Sequence, residues 1–222
     1  MPLPDHVPFS GPTYDAETGR VRMGVSDDDD AVPTWQLVEP GVGVCHGLIL
    51  GPAKIGKTNV LRILTMEAAL TGIVVPWLAD PSSRHNLAGI WGNAIDHIAR
   101  NPSETEDMLG AAAAVIQARE KERLPSYQLP SGERPAVLLL IDECQYVFSY
   151  SPSATKLAEL IVSRGRSVGV GLVVTTLDSE LFYFGGSRAL RNRLAEKNLC
   201  CMGTKGLEQL QLLQADLSTG HY

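Results

Sequence analysis

A short glycine-containing segment carries the clearest chemical signal in the sequence. The letters GPAKIGKT fit the pattern GxxxxGK[ST], with an apolar segment before them and a helical pattern after them. In this context backbone N–H groups surround the phosphates of a nucleotide, a lysine binds the outer phosphates, and a Thr hydroxyl ligates Mg²⁺. The segment predicts a site for ATP and Mg²⁺, with Thr58 as a metal ligand, formed by Gly51, Pro52, Ala53, Lys54, Ile55, Gly56, Lys57, Thr58 and Asn59. Lys54 either touches phosphate or faces solvent.

A pair of acidic residues follows the most apolar stretch of the chain, AVLLLI. Asp142 at the end of this predicted strand can hold a metal-bound water beside Thr58, and Glu143 can orient or deprotonate an attacking water. Adjacent residues of a strand point to opposite faces, so the two carboxylates are expected to have different roles. A solvated acidic pair at a strand end is the alternative. A glutamate directly after the aspartate favours hydrolysis of ATP over phosphate transfer to a small molecule.

The elements that must position these residues follow from the pattern of apolar runs. From Val42 onward, short apolar runs alternate with helical stretches, which predicts an α/β fold with a mostly parallel central sheet flanked by helices. Ser103 and Glu106 form a predicted capping box at the start of a long helix. The predicted strands are 44–50, 73–79, 136–142, 169–176 and 199–203, and the predicted helices are 58–70, 87–100, 103–123, 153–164 and 188–196.

Composition divides the chain into three parts. Residues 1–40 are rich in proline and acid and show no sustained helical or strand period, which predicts an N-terminal arm. Residues 41–206 hold the predicted nucleotide-binding domain, and residues 207–222 are a tail or a short amphipathic helix. The net charge of the whole chain is −6. Residues 151–206 are nevertheless basic, which leaves a positive surface for a polyanion available.

Composition also excludes several classes of protein. The chain has 222 residues, of which 44% are hydrophobic and 20% charged, as in ordinary globular proteins rather than disordered or fibrous ones. Its apolar runs are too short to span a membrane, and its first residues do not resemble a secretory signal. Four cysteines without CxxC spacing indicate neither a zinc site nor a disulfide framework. We expect a cytoplasmic protein that associates with a membrane only through a partner.

The order of these segments resembles the RecA-like motor domain of FtsK/SpoIIIE-type DNA translocases, and the conjugative plasmid-transfer branch is the most similar group. The resemblance covers about residues 33–206. Its most specific part is the combination of GRSVGVGLVVTT with GGSRALRNRL downstream. The resemblance implies a RecA-like P-loop NTPase fold.

The resemblance also implies roles for particular residues. Asp142 matches the magnesium-side acid and Glu143 the catalytic glutamate, while Arg164 and Arg166 match a basic segment that we expect to contact DNA. Arg191 matches an interface arginine that reaches the γ-phosphate of a neighbouring subunit, although an ordinary surface helix also explains it. The family ends its post-catalytic strand with a polar sensor, where this chain has Leu177; Thr176 is the candidate substitute.

The function that follows is an ATP-hydrolysing translocase that moves double-stranded DNA through a ring-shaped homo-oligomer, for which six subunits are one candidate size. Plasmid transfer and chromosome partition are the processes that fit. Two alternatives do not move DNA. One is a nucleotide-dependent interaction module that docks on a membrane or transfer-apparatus protein, and the other is a protein-secretion ATPase of related fold.

Overall fold

The structure, a computed structural model, describes residues 10–25, 32–84, 86–91, 95–122, 130–203, 208–211 and 213–214. A six-stranded sheet lies between two layers that cover its faces. Every neighbouring pair of strands in this sheet is parallel. The predicted α/β fold with a mostly parallel sheet and flanking helices is therefore confirmed.

The central sheet has the spatial order β10-β5-β9-β8-β6-β7. Its two middle strands, β8 and β9, are buried along their whole length, which explains why their sequences are nearly continuous in apolar residues. The strands of the described residues are β1 (Arg20–Arg22), β2 (Thr34–Gln36), β3 (Val38–Glu39), β4 (Gly43–Val44), β5 (Gly47–Leu50), β6 (Val74–Ala79), β7 (His97–Ala99), β8 (Ala136–Ile141), β9 (Val170–Thr176) and β10 (Leu199–Cys201).

The helices divide between the two faces of the sheet. Those described are α1 (Lys57–Leu70), α2 (Leu87–Trp91), α3 (Pro102–Lys121), α4 (Gln145–Phe148), α5 (Pro152–Arg164) and α6 (Arg188–Ala195). One core joins α3, α5 and α6 to the sheet, with Met108 and Ile161 fully buried in it. The other core joins α1 and the N-terminal strands to the opposite face, with Leu61 and Trp35 among its members.

The predicted helix over residues 87–100 is wrong in its second half. Helix α2 ends at Trp91, and His97–Ala99 forms β7 at the edge of the sheet. Ala99 lies opposite Ala79, and the Asp80 amide donates to the Ala99 carbonyl at 2.9 Å. Pairing with the open edge of β6 satisfies backbone groups that a continued helix would leave exposed there.

Two short strands lie within residues 1–40, where the sequence shows no sustained period. β1 and β2 form an antiparallel pair in which Val21 lies opposite Trp35. Both side chains are buried against the domain, together with Leu37. Each strand has three residues and contributes few apolar side chains, so no period is long enough to be recognised. The division of the chain at residue 40 stays a prediction.

The N-terminus of α3 differs from the predicted capping box. Asn101, rather than Ser103, is the N-cap: its side chain accepts a hydrogen bond from the Glu104 amide at 2.9 Å, and its amide group donates to the Glu104 carboxylate at 2.7 Å. The proline at position 102 occupies the first helical turn, where its missing N–H costs nothing. The cap therefore lies two residues earlier than the sequence pattern indicates.

Three smaller predictions have mixed outcomes. The predicted strand 44–50 is interrupted at Cys45 and His46, because β4 pairs with β3 while β5 joins the central sheet. Residues 208–211 and 213–214 are helical. The other residues of the predicted C-terminal helix, and residue 123 of the predicted helix 103–123, lie outside the described residues.

Candidate functional site

The phosphate loop lies where the sequence predicts it, between β5 and α1. Gly56 has φ 110°, a conformation that a residue with a Cβ rarely adopts, and it directly precedes the first residue of α1. Ala53, Lys54, Gly56, Lys57, Thr58 and Asn59 line a cavity of about 430 Å³ beside the loop. Of the other predicted loop residues, Gly51 and Pro52 contribute carbonyl groups to the bonds of Lys57, and Ile55 is 39% exposed.

Lys57 is held inside the loop. Its ammonium group donates to the Gly51 and Pro52 carbonyls at 2.8 and 2.9 Å, and the residue is 5% exposed. Burial lowers the pKa of this lysine, while the nearby charges of Glu143 and Asp142 act in the opposite direction. The two carbonyls hold the ammonium group at the cavity wall, where phosphate oxygens of a nucleotide can replace them.

Asp142 is the centre of a buried hydrogen-bond network directly after β8. One carboxylate oxygen accepts from the Thr58 hydroxyl at 2.8 Å and the other accepts from the Thr175 hydroxyl at 2.6 Å. The residue is fully buried. A hydroxyl and a carboxylate held together in this way are the oxygen ligands that Mg²⁺ prefers, so Thr58 and Asp142 fit the predicted magnesium site.

Glu143 faces the same cavity as the phosphate loop. It lies beyond the end of β8 and has φ 52°, in the left-handed region, so the strand rule that would send Asp142 and Glu143 to opposite faces does not apply. Its amide donates to the Thr175 hydroxyl at 2.8 Å, and its Oε2 is buried with no hydrogen-bond partner among the described residues. An unsatisfied buried carboxylate oxygen is costly unless a ligand or water binds it.

Three residues of this site were not predicted. Thr175 joins Asp142 to the Glu143 amide, whereas the candidate sensor Thr176 donates to the Asp178 carbonyl at 3.3 Å. Arg62 and Arg84 line the cavity and add positive charge to it. Arg62 lies one helical turn after Thr58, a spacing that could have identified it; Thr175 and Arg84 depend on the order of strands in the sheet.

Arg191 does not lie on the surface of α6. It is 7% exposed, and its guanidinium donates to the Ser179 carbonyl at 3.2 Å and to the Asn192 side chain at 3.0 Å. These contacts belong to its own subunit. Its role toward a neighbouring subunit stays a prediction, and that role requires the side chain to leave these partners.

Arg164 and Arg166 come shortly before β9, so they lie at the N-terminal ends of the parallel strands, whereas the phosphate loop follows the C-terminal end of β5. Each forms an ion pair: Arg164 with Glu120, and Arg166 with Glu39 at 2.6 Å. Arg193 lines a second cavity together with these two arginines. Arg193, near the C-terminal end of α6, therefore lies on the same side of the sheet as Arg164 and Arg166.

Two kinds of feature are absent from the residues that the structure describes. No helix within these ranges combines the length and apolar character needed to cross a bilayer. No group of three or more His, Cys, Asp or Glu residues is arranged to hold a metal ion in the described part of the chain. A magnesium site with one carboxylate and one hydroxyl, completed by phosphate oxygens and water, is compatible with that finding.

No family model matches the sequence. A curated relative, the ESX-5 secretion system protein EccC5 of Mycobacterium marinum (strain ATCC BAA-535 / M), is 27% identical over 151 residues. The match takes in 59% of this chain and 11% of that relative. The chain therefore corresponds to a small part of the relative's length.

Solved structures share the fold at low sequence identity. The pCW3 conjugation coupling protein TcpA, in its monomer form with ATPγS, has a TM-score of 0.66 at 12% identity, covering 87% of this chain and 57% of that one. Thermomonospora curvata EccC (ATPases 2 and 3), in complex with a signal sequence peptide, has a TM-score of 0.66 at 18% identity, covering 91% of this chain and 37% of that one. The chain has the RecA-like P-loop ATPase fold.

Proposed function

We propose that the chain is an ATP-hydrolysing motor module of the FtsK/SpoIIIE type that moves a protein substrate within a secretion or transfer apparatus. The assignment of ATP hydrolysis rests on one observation. Lys57, Thr58 and Glu143 line the same cavity, and the Thr58 hydroxyl donates a hydrogen bond to the Asp142 carboxylate at 2.8 Å. ATP hydrolysis needs a cation that binds the phosphates, ligands for magnesium and a carboxylate that activates water.

Each residue has a defined part in the proposed reaction. Lys57 binds the outer phosphates, and Thr58 and Asp142 hold Mg²⁺, which when bound neutralises phosphate charge. Glu143 accepts a proton from the water that attacks the γ-phosphate, and the Thr175 hydroxyl fixes the Glu143 backbone through a 2.8 Å hydrogen bond. The work is mostly positioning and electrostatics, as is general for phosphoryl transfer.

Two observations favour a protein substrate. The first is the likeness to the ESX-5 secretion system protein and to an EccC structure that holds a signal sequence peptide. The second is charge: Arg164 and Arg166, the predicted DNA contacts, are both paired with carboxylates, and the whole chain carries −6. A carboxylate already neutralises the charge of each arginine, so the pair displaces fewer of the counterions condensed on DNA and contributes less to DNA affinity.

Double-stranded DNA is the second candidate substrate. It is favoured by the likeness to a conjugation coupling protein and by Arg193, which adds a third arginine to the cavity of Arg164 and Arg166. Either substrate is compatible with a homo-oligomeric ring and with a membrane or transfer-apparatus protein as partner. In such a ring, Arg191 would act on a neighbouring nucleotide only after leaving Ser179 and Asn192.

Steady-state ATP hydrolysis with Mg²⁺, measured with and without linear duplex DNA, tests both parts of the proposal. We expect the wild type to turn over, Lys57→Ala to lose ATP binding or turnover because a charge-assisted contact is removed, and duplex to leave the rate unchanged. No wild-type turnover would contradict the ATPase assignment. If duplex DNA stimulates hydrolysis, and the stimulation disappears when Arg164 and Arg166 are both changed to Glu, the substrate is DNA and the protein-substrate proposal is wrong.

A further inference from the structure

Arg84 is a cation of the nucleotide cavity that comes from a third strand of the sheet. It follows β6, whereas the phosphate loop follows β5 and the acidic pair follows β8. In the sheet, β9 and β8 separate β5 from β6. Arg84 therefore approaches the cavity from the side of Asp142 and Glu143, where the phosphate that is hydrolysed must lie.

The turn that carries Arg84 is anchored at several points. The Ser83 amide donates to the Asp80 carbonyl at 3.0 Å, and the Ser82 hydroxyl donates to the Asp80 carboxylate at 2.9 Å. Ser83 has φ 56°, and its hydroxyl donates to the Arg100 carbonyl next to the end of β7. A turn fixed at both β6 and β7 can hold a side chain at a defined position.

Tyr146 holds the guanidinium group itself. The Arg84 Cζ lies 5.2 Å from the centroid of the Tyr146 ring, within the range of a cation–π interaction. Tyr146 belongs to α4, and its amide donates to the Glu143 carbonyl at 3.1 Å. The ring that supports Arg84 is thus attached to the turn that presents the water-activating carboxylate.

We propose that Arg84 supplies, within its own subunit, the positive charge that stabilises the transition state of ATP hydrolysis, and that Tyr146 is its positioning residue. The inference rests on the proposed ATPase function. Arg191 is buried among contacts of its own subunit, whereas Arg84 already lines the cavity. Hydrolysis then needs no arginine from a neighbour.

The chemical step is balanced without a proton from Arg84. The water oxygen bonds to the γ-phosphorus, Glu143 takes the water proton, and the bond from the γ-phosphorus to the bridging oxygen breaks. The electron pair of that bond leaves on the β-phosphate of ADP. Charge accumulates on the transferred group and on the leaving oxygen, and a guanidinium can bind both through its planar set of donors.

The experiment compares kcat and KM for ATP in wild type, Arg84→Ala, Arg84→Lys, Tyr146→Phe and Tyr146→Leu. We expect Arg84→Ala to lower kcat by roughly 10³-fold with little change in ATP affinity, and Arg84→Lys to recover part of the loss. Tyr146→Phe keeps the ring face and should preserve kcat, while Tyr146→Leu should lower it. Arg22→Ala, an exposed arginine of β1, is the matched control.

Dilution and binding measurements separate the outcomes. If Arg84 acts within its own subunit, the wild-type rate per chain stays constant on serial dilution, and Arg84→Ala loses affinity for ADP with aluminium fluoride but keeps its affinity for ADP alone. Wild-type turnover with an unaffected Arg84→Ala variant would overturn this inference and leave the ATPase assignment standing. A wild type that does not hydrolyse ATP would overturn both.

Discussion

At the scale of single residues, the hydroxyl of Thr175 connects the Asp142 carboxylate to the backbone amide of Glu143. It donates to Asp142 at 2.6 Å and accepts from the Glu143 amide at 2.8 Å, and the residue is fully buried. Asp142 thereby keeps one oxygen for Thr58 while Glu143 keeps its left-handed backbone. The geometry of the predicted reaction depends on a residue that belongs to neither the phosphate loop nor the acidic pair.

Thr175→Val removes both hydrogen bonds at nearly constant volume. We expect unfolding free energy to fall by about 1–3 kcal/mol, because the buried Glu143 amide is left unsatisfied, and ATP turnover to fall by roughly 10- to 100-fold because Glu143 shifts. Thr65→Val is the control, since Thr65 is equally buried but bonds only to the Leu61 carbonyl of its own helix among the contacts described. Equal turnover in the two variants would contradict the role of Thr175.

The sequence predicts the residues of this site unevenly. Residues 51–58 are contiguous in the chain, and binding of the phosphates requires a fixed spacing of their glycines and lysine. The pattern GxxxxGK[ST] therefore identifies them from the sequence. Asp142 and Glu143 end an apolar strand and are found in the same way. Thr175 and Arg84 come from strands whose place beside β8 depends on the fold, and the buried position of Arg191 depends on how α6 packs.

At the scale of secondary-structure elements, the start of α3 shows how local signals can mislead. Ser103 and Glu106 have the spacing of a capping box, yet the side chain of Asn101 makes the cap. Asn101→Ala should lower unfolding free energy by about 1 kcal/mol, because the Glu104 amide loses its acceptor. Urea unfolding of Asn101→Ala and Ser103→Ala measures this, and a larger loss for Ser103→Ala would place the cap at Ser103.

His46 links the segment before β5 to β9. Its Nδ1 accepts from the Leu172 amide at 3.1 Å. Burial, together with the positive charges of Arg166 and Arg193, lowers the pKa of His46 to about 3. The folded protein therefore holds this imidazole neutral throughout the pH range in which an unfolded histidine gains a proton.

The linkage gives stability a defined dependence on pH. Below a pH of about 6.5 the unfolded chain binds a proton at this histidine that the folded chain does not, so stability falls as pH falls, by up to about 1.4 kcal/mol per pH unit. Urea unfolding at pH 7 and pH 5 should show a loss about 2 kcal/mol larger in wild type than in His46→Asn. An identical loss in both proteins would contradict a buried neutral His46.

At the scale of the whole molecule, strands β1 and β2 pack on the core of the domain through Val21 and Trp35. Trp35 is 3% exposed, and a Cβ added at Gly47 would lie 2.1 Å from its ring. The strand β5 that leads to the phosphate loop thus packs directly beneath this tryptophan. The composition of residues 1–40 predicts an arm, because acidic residues and prolines far outnumber the few apolar residues that pack on the core.

Trp35→Ala should lower unfolding free energy by about 3–5 kcal/mol, because a large side chain leaves a cavity under β5. Val25→Ala, at a position that is 45% exposed, should change it by less than about 0.5 kcal/mol. Chemical unfolding followed by far-UV circular dichroism measures both. Similar stability for Trp35→Ala and wild type would mean that the segment contributes no core.

The central claim, that Glu143 activates water in a nucleotide site built on Lys57 and Asp142, is tested most directly by the Glu143→Gln variant. Gln keeps the volume and removes the base, so we expect ATP affinity close to wild type and turnover lower by about 100-fold or more. Lys57→Ala, by contrast, should lose binding or turnover. Nucleotide retention and phosphate release measured on the same samples separate the two effects. Glu143→Gln that binds ATP and releases phosphate at the wild-type rate would contradict the account.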